Sequence, residues 1–308
     1  MILNCGEALI DMLPCTSREG VACFAPHAGG SVFNTAIALG RLGGPSGFFS
    51  GISNDMFGEM LAQALAASNV DSSFAARSNR PTTLAFVRLV DGQATYSFND
   101  ENTAGRMLGA DDIPDLPDHV GAMFFGGISL MVTPCAATYE AMLSRYAPTR
   151  VTMIDPNIRP DFITDDAAYR ARIDRMLAKA DLVKLSDEDL RWLLGDGDPR
   201  VLAGEVLRRG PVAVFVTEGA RGAFARTSET TAEMAANPVV VADTVGAGDT
   251  FNAGVLAALA DREKLTKRGI AALTSDDLTA ALALGVGSAA VTVSRAGADP
   301  PWRRELDI

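Results

Sequence analysis

Twelve residues in the last quarter of the chain carry its strongest chemical signal: Asp243-Thr244-Val245-Gly246-Ala247-Gly248-Asp249-Thr250-Phe251-Asn252-Ala253-Gly254. Before them Pro238–Val241 reads as an extended segment. After them Phe251, Val255, Leu256 and Leu259 recur at helical spacing. A Gly-x-Gly where extended chain turns into a helix lets the backbone tighten until several N–H groups point one way. The emerging helix adds its unpaired donors and its positive end. The product is an anion cradle, most simply for phosphate. Asp249 falls in the first helical turn, at the mouth of the cradle. The helix dipole favours its charged form there, which predicts ionisation at neutral pH. Such a carboxylate is placed to accept a hydroxyl proton during phosphoryl transfer. The same residues also have a plain structural use, with Asp249 and Thr250 capping a helix and the glycines making a turn. Two Asp, two spaced Gly, an Asn and a final Gly within one dozen favour the functional use.

A second group opens the chain. Gly29-Gly30-Ser31-Val32-Phe33-Asn34-Thr35-Ala36 again sets glycine before a helix, with Asn34 in its first turn, and Asp11 ends the N-terminal strand segment. An Asp and an Asn suit hydroxyl recognition, one accepting and the other doing both. Each also has an ordinary use, Asp11 in a turn and Asn34 as a helix cap. Asp155-Pro156-Asn157-Ile158-Arg159-Pro160 follows a predicted strand at Val151–Ile154, and ligands sit at the C-terminal ends of strands in open α/β sheets. Arg159 suits an anionic or hydroxyl-rich group there, or a surface salt bridge. Thr217-Glu218-Gly219-Ala220-Arg221-Gly222 matches a turn beside a nucleotide, on a weak pattern.

Competing motifs fail. No Gly-Lys pair occurs, so there is no G-x-x-x-x-G-K-[ST] loop. Gly285-x-Gly287-x-x-Ala290 has dinucleotide spacing, but too little chain follows for the βαβ unit. Its glycines are expected to allow close helix packing instead. Gly127-Ile128-Ser129 lacks the second glycine of a nucleophile elbow.

The elements that must position these residues alternate. Short apolar runs at Ile2–Cys5, Gly47–Gly51, Met123–Phe125, Val151–Ile154, Leu182–Leu185 and Val212–Thr217 read as strands. Helical periods lie between them, at Asn34–Leu42, Met56–Ser68, Ala136–Arg145, Tyr169–Ala178, Asp187–Leu194 and Arg200–Arg208, then at Ala247–Ala260 and Asp277–Val291. That order predicts a parallel sheet with crossover helices, in one continuous domain over residues 1–308. Thr83–Val90, Asp91-Gly92 and Ala94–Phe98 break the rule, reading as two extended segments joined at a D-G turn. With the turn-rich piece between Met12 and His27, they predict a small antiparallel appendage over about 12–27 and 81–104. It reads as a lid or as an ordinary edge hairpin.

Composition narrows the classes further. Of 308 residues, 48% are apolar and 21% charged, and 27 basic against 38 acidic residues leave a net charge of −11. A chain so acidic is a poor nucleic-acid binder, since phosphate backbones need clustered positive charge. Its apolar content disfavours disorder. No run of eighteen apolar residues occurs, and the start lacks the basic leader of a signal peptide, so no membrane partner is expected. Cys5, Cys15, Cys23 and Cys135 show no C-x-x-C spacing. With His27 and His119 the only histidines, a zinc site is disfavoured, and a cytoplasmic protein with reduced thiols is expected.

The dozen from Asp243 to Gly254 resembles the C-terminal signature of the PfkB, or ribokinase-like, sugar kinases. Gly29-Gly30-x-x-x-Asn34-x-Ala36 resembles their N-terminal signature, and Gly51-x-x-x-Asp55-x-Phe57-Gly58 is similar to another family segment. The likeness spans nearly the whole chain. It implies a three-layer αβα sandwich with a mostly parallel sheet, a small β lid, and ATP-dependent phosphorylation of a sugar hydroxyl. It also implies Asp249 as the catalytic base and the amides of Gly246, Ala247, Gly248 and Asp249 as an anion hole. Asp11, Gly29, Gly30 and Asn34 would contact sugar, and Thr217, Gly219 and Gly222 would line the ATP site. Asp243 matches a position near a monovalent-cation site in several members, implying K+ as a possible activator.

Within the family, Asp155-Pro156-Asn157-x-Arg159-Pro160, Lys184-x-Ser186-Asp187-Glu188 and Asp100-Glu101-Asn102-Thr103-Ala104 look most like bacterial fructokinases. That likeness implies Arg159 and Phe98 near the sugar, and Lys184 and Ser186 on the nucleotide side. Relatives carry N-x-x-E where Mg2+ and its waters are organised. Here the segment is Ser186-Asp187-Glu188-Asp189, which leaves Glu188 to take part instead. Fructose, making fructose 6-phosphate, is the expected substrate, with 2-keto-3-deoxygluconate or ribose as alternatives and a non-catalytic sugar or nucleotide sensor as the remote one. A homodimer formed through the lid follows by analogy.

Overall fold

The computed structural model describes residues 1–90 and 93–306; the expected Asp91-Gly92 turn lies outside them. In chain order the elements begin β1 (Ile2–Cys5), β2 (Leu9–Thr16), β3 (Ala22–Gly29), α1 (Ser31–Arg41), β4 (Ser46–Phe49), β5 (Gly51–Ser53) and α2 (Met56–Ala67). There follow β6 (Ala76–Ser78), β7 (Leu84–Val90), β8 (Gln93–Asn99), β9 (Ala122–Gly126), α3 (Cys135–Tyr146), β10 (Val151–Asp155) and α4 (Asp166–Leu177). Then come β11 (Leu182–Ser186), α5 (Asp187–Leu194), α6 (Pro199–Leu207), β12 (Ala213–Thr217), β13 (Ala223–Arg226) and β14 (Thr231–Met234). The chain closes with α7 (Ala247–Asp261), α8 (Lys267–Ala271) and α9 (Ser275–Val293).

Eight strands form the central sheet in the order β14-β13-β12-β11-β10-β9-β1-β4. From β12 to β4 all neighbours are parallel, and only β13 and β14 run antiparallel. Successive side chains of a strand enter opposite layers. Thus Phe48, Phe124, Met153 and Phe215 join one core with α1, α7 and α9, while Phe49, Phe125, Ile154 and Val216 join the other with α3 to α6. Burial on both faces is why these strands read as continuous apolar runs. The mostly parallel αβα sandwich expected from the sequence is what forms.

The pieces expected to stand apart do so. β3-β2-β7-β8 make a separate four-stranded sheet, antiparallel except for the β2–β7 pair. Asp55 anchors its base: it caps α2 by accepting from Gly58 N–H at 2.7 Å, and it accepts from Thr82 N–H and Oγ1 at 2.8 and 2.6 Å.

Two local expectations are corrected, and one feature is new. Pro238–Val241 is not a strand: Val240 is 89% exposed, and the segment pairs with no strand among the described residues. The N–H groups of Ala242 and Asp243 turn instead to Val293 O at the end of α9. The single strand expected at Gly47–Gly51 is broken at Ser50, its second part pairing with β6 outside the main sheet. The β13–β14 ribbon has no sequence expectation behind it.

α9 is long and apolar enough to cross a membrane by composition, but Leu278, Ala281 and Leu282 are in the core. Of its two glycines, Gly285 does allow close packing. A Cβ on Gly254 of α7 would lie 2.6 Å from Gly285 Cα, and one on Gly285 would lie 2.9 Å from Phe251 Cδ2. Gly254→Ala is therefore expected to destabilise the fold by about 1–3 kcal/mol despite alanine's better helix propensity. A thermal melt checks this by a fall of several degrees.

Candidate active site

Six parallel strands end on the same side of the sheet, where open α/β sheets hold ligands. Just past β1, Glu7 is 8% exposed, and its carboxylate accepts from Ser31 N–H at 2.9 Å, Ser31 Oγ at 2.8 Å and Ser129 N–H at 3.3 Å. These bonds hold the turn that starts α1. Gly30, the residue before that helix, has φ +109°, and a Cβ there would lie 2.9 Å from Glu7 O, so only glycine fits. Gly29 is close to Asp11: a Cβ on it would lie 2.3 Å from Asp11 Oδ2. Burial pushes the Asp11 carboxyl up to about 6.

α7 starts beside α1. Gly246 adopts φ +77° ahead of it, the left-handed conformation that glycine takes without strain. Thr250 N–H closes the first turn on Gly246 O at 2.8 Å, and Ala247 N–H reaches Thr244 O at 3.4 Å. Among the described residues, the N–H groups of Gly246, Gly248 and Asp249 take no protein acceptor. They are three of the four donors expected in the nest; the fourth, Ala247, is taken up by Thr244 O.

Asp249 is 7% exposed, and its Oδ2 accepts from Asn34 Nδ2 at 2.9 Å while its backbone O accepts from Thr35 Oγ1 at 3.2 Å. So α1 brings Asn34 directly onto the carboxylate. The expectation that Asp249 is fully ionised at neutral pH is corrected. Burial pushes its carboxyl up to about 7, against the Asn34 bond and nearby Lys184, with Asp155 adding to the rise. A dipole at a helix end is worth less than the loss of water around a buried charge.

Beneath this carboxylate lies a buried ionic group. Lys184 Nζ donates to Asp155 Oδ2 at 3.0 Å, and Asn252 Nδ2 donates to the same oxygen at 2.7 Å. Burial works against the Lys184 charge, but Asp155, Asp189 and Asp249 hold its pKa above the usual lysine value. A Cβ on Gly248 would lie 3.1 Å from Lys184 Nζ, so the ammonium sits directly under the donor nest. Asp155 and Asn252 were visible only as members of motifs, and their contact with Lys184 joins segments far apart in sequence. Glu7 carried no signal of its own.

The other expected positions divide. Ser186 and Thr217 are register partners at the ends of β11 and β12. Gly219 and Gly222 have positive φ, +57° and +104°, and a Cβ on Gly222 would meet Met234 O at 2.1 Å. Ser186 and Asp189 cap α5 reciprocally, and Asp189 Oδ1 also accepts from Ile158 N–H at 2.9 Å. Asp189 is thus engaged in structure, and Glu188 faces solvent. Asp243 accepts from Val245 N–H at 3.1 Å and Gly297 N–H at 2.9 Å, tying the nest loop to the turn after α9. Arg159 is exposed and donates to Ile158 O at 3.0 Å. Phe98 of β8 meets Phe162, three residues past Arg159, edge to face with ring centroids 4.0 Å apart. That contact joins the small sheet to the loop after β10.

A glycine-built donor nest at a helix start, a buried carboxylate beside it and a small sheet alongside define a phosphoryl-transfer site on a ribokinase-like frame. The chain belongs to the pfkB family of carbohydrate kinases, which it matches over residues 1–304. It is 55% identical over 278 residues to the fructokinase of Rhizobium leguminosarum bv. trifolii, covering 90% of this chain and 85% of that one. The fructokinase of Salmonella typhimurium is 34% identical, with 98% and 96% covered. Among solved structures, Xylella fastidiosa fructokinase with bound ATP superimposes with TM-score 0.87 at 27% identity, over 96% of this chain and 93% of that one. A double mutant of Vibrio cholerae O395 fructokinase, in fructose, ADP and potassium ion bound form, gives 0.84 at 25% identity over the same shares.

The raised Asp249 carboxyl carries a stability cost with a definite sign. Its folded pKa lies above the unfolded value, so its contribution is complete below about pH 4 and is lost as pH rises through about 7. Asp249→Asn keeps an acceptor for Asn34 and removes the charge. It is expected to be more stable than the parent at pH 8 by about 2–4 kcal/mol, an upper range, with the gap closing toward pH 5. Melting curves at both pH values check it.

Proposed function

We propose that this chain is an ATP-dependent fructokinase that transfers the γ-phosphoryl group to O6 of D-fructose. The observation that carries the reading is the Asp249 carboxylate: buried, bonded to Asn34, and set among N–H groups with no protein acceptor. In the proposed reaction Asp11, Gly29, Gly30 and Asn34 hold the sugar hydroxyls, and Asp249 takes the proton of the attacking one. A base with pKa about 7 is well matched to that task near neutral pH. The amides of Gly246, Gly248 and Asp249 receive the charge spread over the transferring phosphoryl oxygens, while Ala247 N–H, expected with them, turns to Thr244 O. They are fixed beforehand by the turn, so little reorganisation accompanies transfer. Lys184 adds a positive charge beneath them, and Ser186, Thr217, Gly219 and Gly222 line the nucleotide side.

The fructokinases among the relatives support fructose as the acceptor, and the ATP, fructose and ADP held by the solved neighbours support both substrates. The small sheet, joined to the body through Phe98 and Phe162, acts as the lid over residues of a single kinase domain, with Arg159 at the rim of the sugar site. Consumption of ATP and likeness to bacterial fructokinases support a cytoplasmic location. β3 and β8 are the open edges of the lid sheet, and exposed Val21 and Phe24 near the β3 edge support a homodimer through it.

The residues fit a Mg2+ that arrives on the nucleotide. Among the described residues no group of three or more His, Cys, Asp or Glu is arranged to hold a metal. Mg2+ commonly needs just one or two carboxylates besides phosphate oxygens and water. Asp187 pairs with Arg191 and Arg221, and Asp189 caps α5, which leaves Glu188 to bond a metal-bound water. When bound, Mg2+ would supply neutralisation of the negative charge on the transferring phosphate. A K+ effect would act through the loop that Asp243 ties down.

A coupled ADP-release assay over fructose, 2-keto-3-deoxygluconate and ribose tests the assignment. Fructose is expected to turn over fastest, and binding without turnover of any sugar would identify a sensor instead. Asp249→Ala is expected to lower kcat by on the order of 10²–10⁴ while sugar and ATP still bind. Near-parental turnover in that variant removes Asp249 from the mechanism.

The pH dependence follows from the same carboxyl. The base works only when deprotonated, so kcat/KM for fructose is expected to rise about tenfold per unit below pH 7 and flatten above it. Asp11, with its carboxyl at about 6, steepens the fall on the acid side. A profile flat down to pH 5 contradicts the assignment of the base.

A further inference from the structure

Four cysteines divide into two kinds. Cys5 and Cys135 are buried in the core, while Cys15 is exposed and Cys23 half-buried. Cys15 and Cys23 stand directly opposite each other on β2 and β3, with their Sγ atoms 2.8 Å apart. A five-residue turn joins the strands. Ser17 N–H donates to Val21 O at 2.9 Å, and Gly20 takes φ +81°. Opposed residues of an antiparallel pair have Cα atoms roughly 4.5–5.5 Å apart, inside the span of about 4.4–6.8 Å that a disulfide bridges. The backbone is already set for the bond.

We propose that Cys15 and Cys23 are a redox-active dithiol, a modification site that closes to a disulfide on meeting a small disulfide oxidant of the glutathione type. One sulfur of the pair attacks an oxidant sulfur as its thiolate, breaking that S–S bond and releasing one small thiol. The other thiol, losing its proton, attacks the protein sulfur of the mixed disulfide and expels the second small thiol. The protein gives up two protons and two electrons, and the oxidant takes up both.

The site has a structural consequence. Along β2, Asp11 and Cys15 share a face, and Gly29 lies at the far end of β3. Closing the dithiol fixes β2 against β3 at the turn end, and so fixes the register that presents Asp11 beside Gly29. None of this depends on the kinase assignment.

Incubation of the full chain with oxidised glutathione, then alkylation under denaturing conditions and peptide mapping, tests the proposal. Cys5 and Cys135 are expected to be alkylated. Cys15 and Cys23 are expected to be protected, linked, two hydrogens lighter, and restored by dithiothreitol. Cys15→Ser is expected to stop at a glutathione adduct on Cys23, because the resolving thiol is gone. The Asp249→Asn protein is expected to lose the same two thiols, whether or not it is a kinase. Alkylatable Cys15 and Cys23, a persistent glutathione adduct on the parent chain, or disulfide-linked pairs of chains would each overturn the proposal.

Discussion

The site depends on one part-buried hydrogen bond, from Asn34 of α1 to the Asp249 carboxylate of α7. It joins the first turns of two helices, so the positive ends of both converge on one oxygen pair. Thr35 adds a second tie, to the Asp249 backbone. Because each helix begins at a glycine with positive φ, neither start can shift without losing the turn that shapes it. α7 is fixed from behind by the close Gly254–Gly285 approach to α9. The carboxylate is therefore placed by backbone geometry more than by its own side-chain freedom.

Burial makes that placement electrostatically uneasy, and the neighbouring groups explain why it holds. Asp155 raises the Asp249 carboxyl, while Lys184 opposes it from the other side of the donor nest. Lys184 is in turn held charged by Asp155, Asp189 and Asp249 against its own burial. Removing either Lys184 or Asp155 strands the other, since an unpaired buried charge costs about 3–5 kcal/mol. The Asn252 amide, bonded to the same Asp155 oxygen as the ammonium, keeps that shared oxygen aimed under the nest.

How much of this was legible in the sequence varies with distance along the chain. The parallel sheet was, because strands buried on both faces read as unbroken apolar runs, as Phe48-Phe49 and Phe124-Phe125 show. The start of α7 was, because Gly246 and Gly248 announce a turn that few other residues can make. Pro238–Val241 misled for a physical reason: three successive valines favour extended chain, but a strand also needs a partner edge, which only the tertiary structure decides. The ionisation of Asp249 was misjudged because the dipole is a local property and burial is not. Lys184 was placed near the nucleotide by resemblance, whereas its partnership with Asp155 joins neighbouring strands whose register no local pattern reveals. For Arg159 and Glu188 the sequence gives residue type and loop, while side-chain direction awaits the fold.

A final constraint concerns charge at long range. The chain carries a net charge of −11, and in the proposed reaction its nucleotide substrate is itself a polyanion. The field of the whole molecule therefore opposes encounter. Attraction has to come from groups that act over a few ångströms: amide dipoles of the nest, the positive end of α7, and the Lys184 ammonium beneath Gly248. Most of these donors are uncharged, and the one full charge is buried, so salt screens them far less than exposed pairs. A cradle of this kind leaves the surface acidic while still meeting phosphate. It also explains why clustered surface lysines, the usual mark of phosphate binding, were not needed for the site to form.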